Sequence, residues 1–137
     1  MRTYKGNITK LEPNQIFCFG SNTQGRHGLG SALIARTKFG AKYGQSEGLQ
    51  GRSYAIITKD LTKKSHPSRT KEQIEEQIKK LYEFANNNVG LDFLIAYSGT
   101  GKNLNAYSSK EMAEMFGCDT IPHNIIFEEE FSKLINY

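Results

Sequence analysis

The sequence has no apolar run approaching the roughly 20 residues that a membrane helix needs, which excludes a transmembrane segment of that kind. The N-terminal stretch MRTYKGNITKLE has no apolar core, so a secretory signal is not expected and cytoplasmic residence is the default. Cysteine is scarce. Cys18 and Cys118 are unclustered and carry no metal-ligand spacing, and a reducing compartment disfavours a disulfide. No His/Cys/Asp cluster suggests a metal, no residue pattern suggests a bound cofactor, and no Ser/His/Asp order suggests a nucleophile. There are no repeats or low-complexity tracts, and 137 residues fit one domain, 1–137, with a single stable core.

Acids are also missing, but from only half of the chain. Residues 1–71 hold 13 Lys and Arg against 3 acids, a net +10, and residues 72–137 hold 5 against 11, a net −6. A positive field over the first half draws anions, which leaves nucleic acid, a nucleotide or mere solubility as its use.

What the first half does have is glycine. Gly20, Gly25, Gly28 and Gly30 fall within GSNTQGRHGLG, directly after the apolar run IFCFG (16–20). The alternation that follows reads as α/β architecture with a mostly parallel sheet. Residues 16–20, 53–58, 91–99 and 124–127 read as buried strands, and Ser31–Phe39 as a helix with Gly40 past its end. A helix opens at Thr70 with Gln73 as capping-box partner, and Ile74, Ile78, Leu81 and Ala85 form its apolar stripe. Glu75 with Lys79, and Glu76 with Lys80, are expected i,i+4 pairs on its outer face. Ser108 and Glu111 make a second capping box for a helix ending at Gly117, and EEEFSKLINY reads as a last helix.

Ligands of such sheets bind beyond the carboxyl ends of the strands. Both glycine-rich loops, 20–30 and YSGTGKN (97–103), follow strands and are expected on that edge. Two phosphate motifs fail there. The glycines run G-x-x-G-x-G, the reverse of the dinucleotide fingerprint, and Ser31 stands where a P-loop requires lysine. What remains is two loops offering backbone N–H groups, one leading into a helix N-terminus, which together suit a pyrophosphate.

The segment FGSN…GRHGLGSALIA resembles the first ligand loop of macro domains, and LIAYSGTGKNLNAYSSKEMAEMF resembles their second. IFCFGSNTQGRHGLGSALIA followed by GLQGRSYAIITKD resembles a small macro-domain-like family of bacterial and phage proteins described as ADP-ribose-binding, a similarity running from about Ile16 to Phe127. The resemblance implies a three-layer α/β/α fold with a mixed, mostly parallel sheet, and ADP-ribose or a derived nucleotide as the ligand. Asn22 would contact ribose. Gly25, Arg26, His27, Gly28, Leu29 and Gly30 would wrap the distal ribose and one phosphate. Ser98, Gly99, Thr100, Gly101 and Lys102 would wrap the other phosphate, with Tyr107 near the distal ribose. Ala106 stands where common macro domains have glycine, and no acid stands at residues 14–16, where an aspartate often reads the adenine amino group.

Hydrolysis at the distal ribose, of the ADP-ribosyl hydrolase or ADP-ribose-1″-phosphate phosphatase type, is an activity of macro domains. There the loops position a water, so few side chains need react. His27 is the histidine within the glycine loop and a general-base candidate, with phosphate donor or solvated loop residue as alternatives. Asp60 is a carboxylate at the end of a strand, with capping of the next turn as its alternative. Gln50 and Arg52 precede the strand 53–58, and Arg52 is expected to clamp an anion bidentately. Two competing classes stay open: a basic nucleic-acid-binding module, and an interaction domain that keeps the fold without the ligand. The aromatics lie in apolar runs rather than among surface basics, which disfavours the first. The intact glycines of both loops disfavour the second.

Overall fold

A computed structural model of the chain describes residues 2–135. The sheet has six strands: β1 (Thr3–Tyr4), β2 (Gln15–Asn22), β3 (Gly48–Gln50), β4 (Ser53–Lys59), β5 (Asp92–Ile95) and β6 (Ile125–Glu128). Their spatial order is β1-β6-β5-β2-β4-β3. All neighbours are parallel except β3 and β4, so the sheet is mixed and mostly parallel. Four helices complete the fold: α1 (Gly30–Lys38), α2 (Lys71–Asn86), α3 (Ser109–Phe116) and α4 (Glu129–Ser132).

Alternation along β2 decides where the cores lie. Ile16 and Cys18 face one core, built with the α2 stripe Ile74, Ile78, Leu81 and Ala85 and with Phe93, Met112, Phe116, Phe127 and Phe131. Phe17 and Phe19 face the other, with Ala32, Ala35 and Phe39. The small residues Ala32 and Ala35 let α1 come close to the strand, and the ring of Phe17 sits 4.9 Å from that of Phe39. Each fully buried Phe or Ile contributes roughly 1.5–3 kcal/mol of apolar burial, so both faces of β2 are anchored.

Both capping boxes form. Thr70 accepts from Gln73 N and Ser108 from Glu111 N, each reciprocated by the partner side chain. The expected i,i+4 pairs on α2 do not form. Lys79 pairs with Glu76 at 3.8 Å, and Lys80 reaches across to Glu47 at 3.4 Å. The strand expected over 91–99 stops at Ile95, and the chain leaves the sheet after it. The last helix is a single turn, 129–132, followed by a turn; positions 136 and 137 of the expected helix lie outside the described residues. Cys18 and Cys118 are both free thiols. Among the described residues no helix is long and apolar enough to cross a membrane, and no group of three His, Cys, Asp or Glu is arranged to hold a metal.

Candidate nucleotide cleft

β2 and β5 are parallel neighbours, so the loops that follow them leave the same edge of the sheet. A cleft opens between those loops, with two lobes. The larger, about 640 Å³, is walled by the N-terminal segment 6–9, by Gly30, Ser31, Ile34 and Lys38 of α1, and by Ser98 and Lys102–Asn105 of the second loop. The smaller, about 220 Å³, lies among Asn22, Arg26, Gly28, Lys59 and Leu61. Gly20, Leu29, Thr58, Leu104 and Asn105 line both, so the lobes meet over the ends of β2 and β4.

The first loop is shaped by Asn22. Its side-chain oxygen accepts from Gln24 N at 3.2 Å and Arg26 N at 3.0 Å, and its amide donates to Arg26 O at 2.9 Å. These bonds turn the chain at the strand end and leave Gly28 with nothing within 4 Å of a β-carbon position, so that position faces open cleft. α1 then begins without a side-chain cap at Leu29. The other helices are capped: α2 by Thr70, α3 by Ser108 and α4 by Glu128. The first amides of α1, at Gly30 and Ser31, therefore retain donors that only water or a ligand can satisfy.

Four cations ring the opening: Lys38 and Lys102 at the larger lobe, Arg26 and Lys59 at the smaller. None of them is in an ion pair among the described residues. The one acid among the lining residues, Glu128, spends both carboxylate oxygens on backbone amides of α4, Glu130 N and Phe131 N. The local field therefore favours an anion.

The residues expected at the site divide. Asn22, Arg26, Gly28, Leu29, Gly30, Ser98 and Lys102 line the cleft. Gly99, Thr100 and Gly101 arch between Ser98 and Lys102 without lining it. A β-carbon on Gly99 would stand 2.6 Å from Glu130 Cβ, so that glycine serves the approach of the loop to α4. Gly25 has φ +66 and meets Gly44, whose N–H donates to Gly25 O at 2.8 Å. It holds the loop to the segment 41–47 and lies off the cleft.

Arg52 is on the opposite edge of the sheet. It precedes β4, and its guanidinium donates to the carbonyls of Glu12 and Gln15, so it does not face the cleft. His27 is fully buried, edge-on to Phe19 at 5.1 Å. Its Nε2 faces two acceptors, Gln45 O at 3.0 Å and Gln50 Oε1 at 3.1 Å, which fixes the proton on Nε2. Its Nδ1 has no partner among the described residues. Gln50 is buried in the same network, accepting from Lys42 N at 2.8 Å and donating to Gln45 O at 3.1 Å. His27 and Gln50 thus clasp the glycine loop to the segment 41–50. Asp60 caps a turn: its Oδ1 accepts from Thr62 N at 2.9 Å and Thr62 Oγ1 at 2.6 Å, which holds its carboxyl below the usual range. Tyr107 is buried and donates to Arg69 O at 2.6 Å, away from both lobes.

Thr58, Tyr97, Leu104, Asn105 and the segment 6–9 line the cleft without having been singled out in the sequence. Thr58 and Tyr97 stand at or just past carboxyl ends of parallel strands, a position from which the strand-end rule alone picks them. No protein-family model, curated protein or solved structure matches the chain.

Proposed function

We propose that the chain binds ADP-ribose or an ADP-ribose-derived nucleotide in the two-lobed cleft, as a macro-domain-like protein with helices layered on both faces of its sheet. The observation that carries this reading is the uncapped N-terminus of α1, opening on the cleft between two glycine-bearing loops in a chain whose other helices are all capped. Exposed amides at a helix start attract phosphate through both hydrogen bonds and the macrodipole. The unpaired cations Lys38, Lys102, Arg26 and Lys59 act in the same direction. The joined lobes suit an elongated ligand. Ile8, Ile34 and Ala96 give the larger one apolar walls for a base, and Asn22, Arg26 and Asn105 place polar groups in the smaller one that a sugar can meet. The imidazole and the carboxylates nearest the cleft are committed to structure, so the reading is of binding, and hydrolysis at the distal ribose would rest on a water positioned by the loops.

Calorimetry with ADP-ribose, AMP and a single-stranded oligonucleotide tests the proposal. One-to-one binding of ADP-ribose, tighter than AMP and retained at 150–200 mM salt, is expected. Oligonucleotide binding that collapses with salt, without ADP-ribose binding, would favour the nucleic-acid reading and overturn this one.

A further inference from the structure

Tyr97 follows the end of β5 and is 7% exposed. Its ring packs on Phe116 at 5.8 Å and on Phe131 at 5.9 Å, which fixes the phenol in one place. Tyr4, Tyr82 and Tyr107 each donate a hydroxyl proton to a backbone carbonyl. The Tyr97 hydroxyl has no carbonyl acceptor among the described residues. It lies instead over Gly20 and meets the hydroxyl of Thr58, which itself donates to Ser21 O at 3.3 Å. Gly20 and Thr58 line both lobes, so the phenol stands on the floor where the lobes meet. Because Thr58 gives its own proton to Ser21 O, the Tyr97 phenol keeps a proton to donate, and, held rigidly at the cleft floor, it is pre-organised to turn that proton from Thr58 to a ligand.

Resting on the nucleotide reading, we propose that Tyr97 contacts the ligand directly, donating its hydroxyl proton to an oxygen of the diphosphate that joins the two halves of the nucleotide. A ligand that fills both lobes must pass its linking group over Gly20. Burial pushes the Tyr97 phenol up to about 12, so it remains a donor throughout the neutral range.

The test is Tyr97→Phe, which keeps the ring and its stacking. ADP-ribose affinity is measured by calorimetry, adenosine affinity by NMR titration and apo stability by melting. A hydrogen bond to a charged oxygen predicts an ADP-ribose affinity lowered about tenfold or more, with adenosine binding unchanged and any fall in the apo melting point limited to the lost Thr58 contact. Unchanged ADP-ribose affinity, or an equal loss on adenosine, overturns the contact while leaving the nucleotide reading intact. Failure of the unaltered chain to bind ADP-ribose overturns the nucleotide reading itself.

Discussion

The hydroxyl of Tyr97 stands 2.6 Å from the point that a β-carbon on Gly20 would occupy. Position 20 is glycine because a phenol lies across the end of β2, and no turn is involved. Gly20→Ala is therefore expected to cost about 1–3 kcal/mol of stability, the usual range for overpacking. In a Tyr97→Phe background the nearest remaining ring atom is Cζ at 3.6 Å, an ordinary contact, although Thr58 Oγ1 at 3.2 Å stays tight. Urea unfolding of the four proteins should give a coupling of about 0.5 kcal/mol or more. Strict additivity would mean that the two residues do not meet.

Arg52 and the cleft cations make opposite predictions. Arg52→Ala should leave ADP-ribose affinity within about twofold, since its guanidinium holds the carbonyls of Glu12 and Gln15 at the far edge. Arg26→Ala and Lys102→Ala should each weaken binding by roughly 1 kcal/mol, reduced from a full charged hydrogen bond because both side chains are exposed. The loss should shrink as salt is raised. An Arg52 effect larger than either would place the anion at the opposite edge of the sheet, away from the cleft.

How much was legible can be judged from these same residues. α2 and α3 were readable because Thr70–Gln73 and Ser108–Glu111 are local signals, and a capping box needs nothing beyond four residues. β2, β4 and β5 were readable as apolar runs, and their shared direction put both loops on one edge. That same direction rule excludes Arg52, which precedes a parallel strand, and selects Thr58 and Tyr97, which stand near strand ends. His27 was opaque for another reason. Its burial depends on Gln45 and Gln50, 18 and 23 residues on, folding over the loop, and no local pattern carries that. β1 and β3, at 2 and 3 residues, are too short to show a period. Lys80 was drawn from its expected helical partner by Glu47, a contact made only in the folded chain.

For His27 the expected loss is of stability. His27→Ala removes the donor shared by Gln45 O and Gln50 Oε1 and empties a buried site against Phe19. Melting should show about 1–3 kcal/mol lost. ADP-ribose affinity, measured well below the transition, should fall less than tenfold. A variant of full stability that had lost a measurable hydrolytic turnover would return His27 to the chemistry.

Ala106 has φ 74, a left-handed conformation in a residue that carries a β-carbon. It lies between Asn105, which lines both lobes, and Tyr107, whose N–H donates to Asn105 Oδ1 at 2.8 Å. An L-residue there costs roughly 1–2 kcal/mol, of which glycine's greater unfolded-state freedom offsets about 0.5–1. Ala106→Gly should therefore raise apo stability by up to about 1 kcal/mol. A melting point that falls would show the turn to be held differently.

Gly28 and Gly30 separate the two reasons for glycine in the first loop. Gly30 has φ +58, and a β-carbon there meets Leu104 Cδ1 at 3.0 Å, so alanine does not suit this helix start. Gly30→Ala should cost roughly 1–2 kcal/mol of apo stability whatever the ligand does. Gly28 lies outside the left-handed region, lines the smaller lobe, and has open space where a β-carbon would point. Gly28→Ala and Gly28→Val should move apo stability by no more than about 0.5 kcal/mol. At an ADP-ribose concentration near 100 Kd the unaltered protein should gain about 2.7 kcal/mol, and the Gly28 variants should lose most of that gain because the side chain takes the space the ligand needs. Melting curves with and without ADP-ribose read both quantities on one sample. Should Gly28→Val keep the full ligand stabilisation, the smaller lobe is not occupied, and the ligand lies in the larger lobe alone.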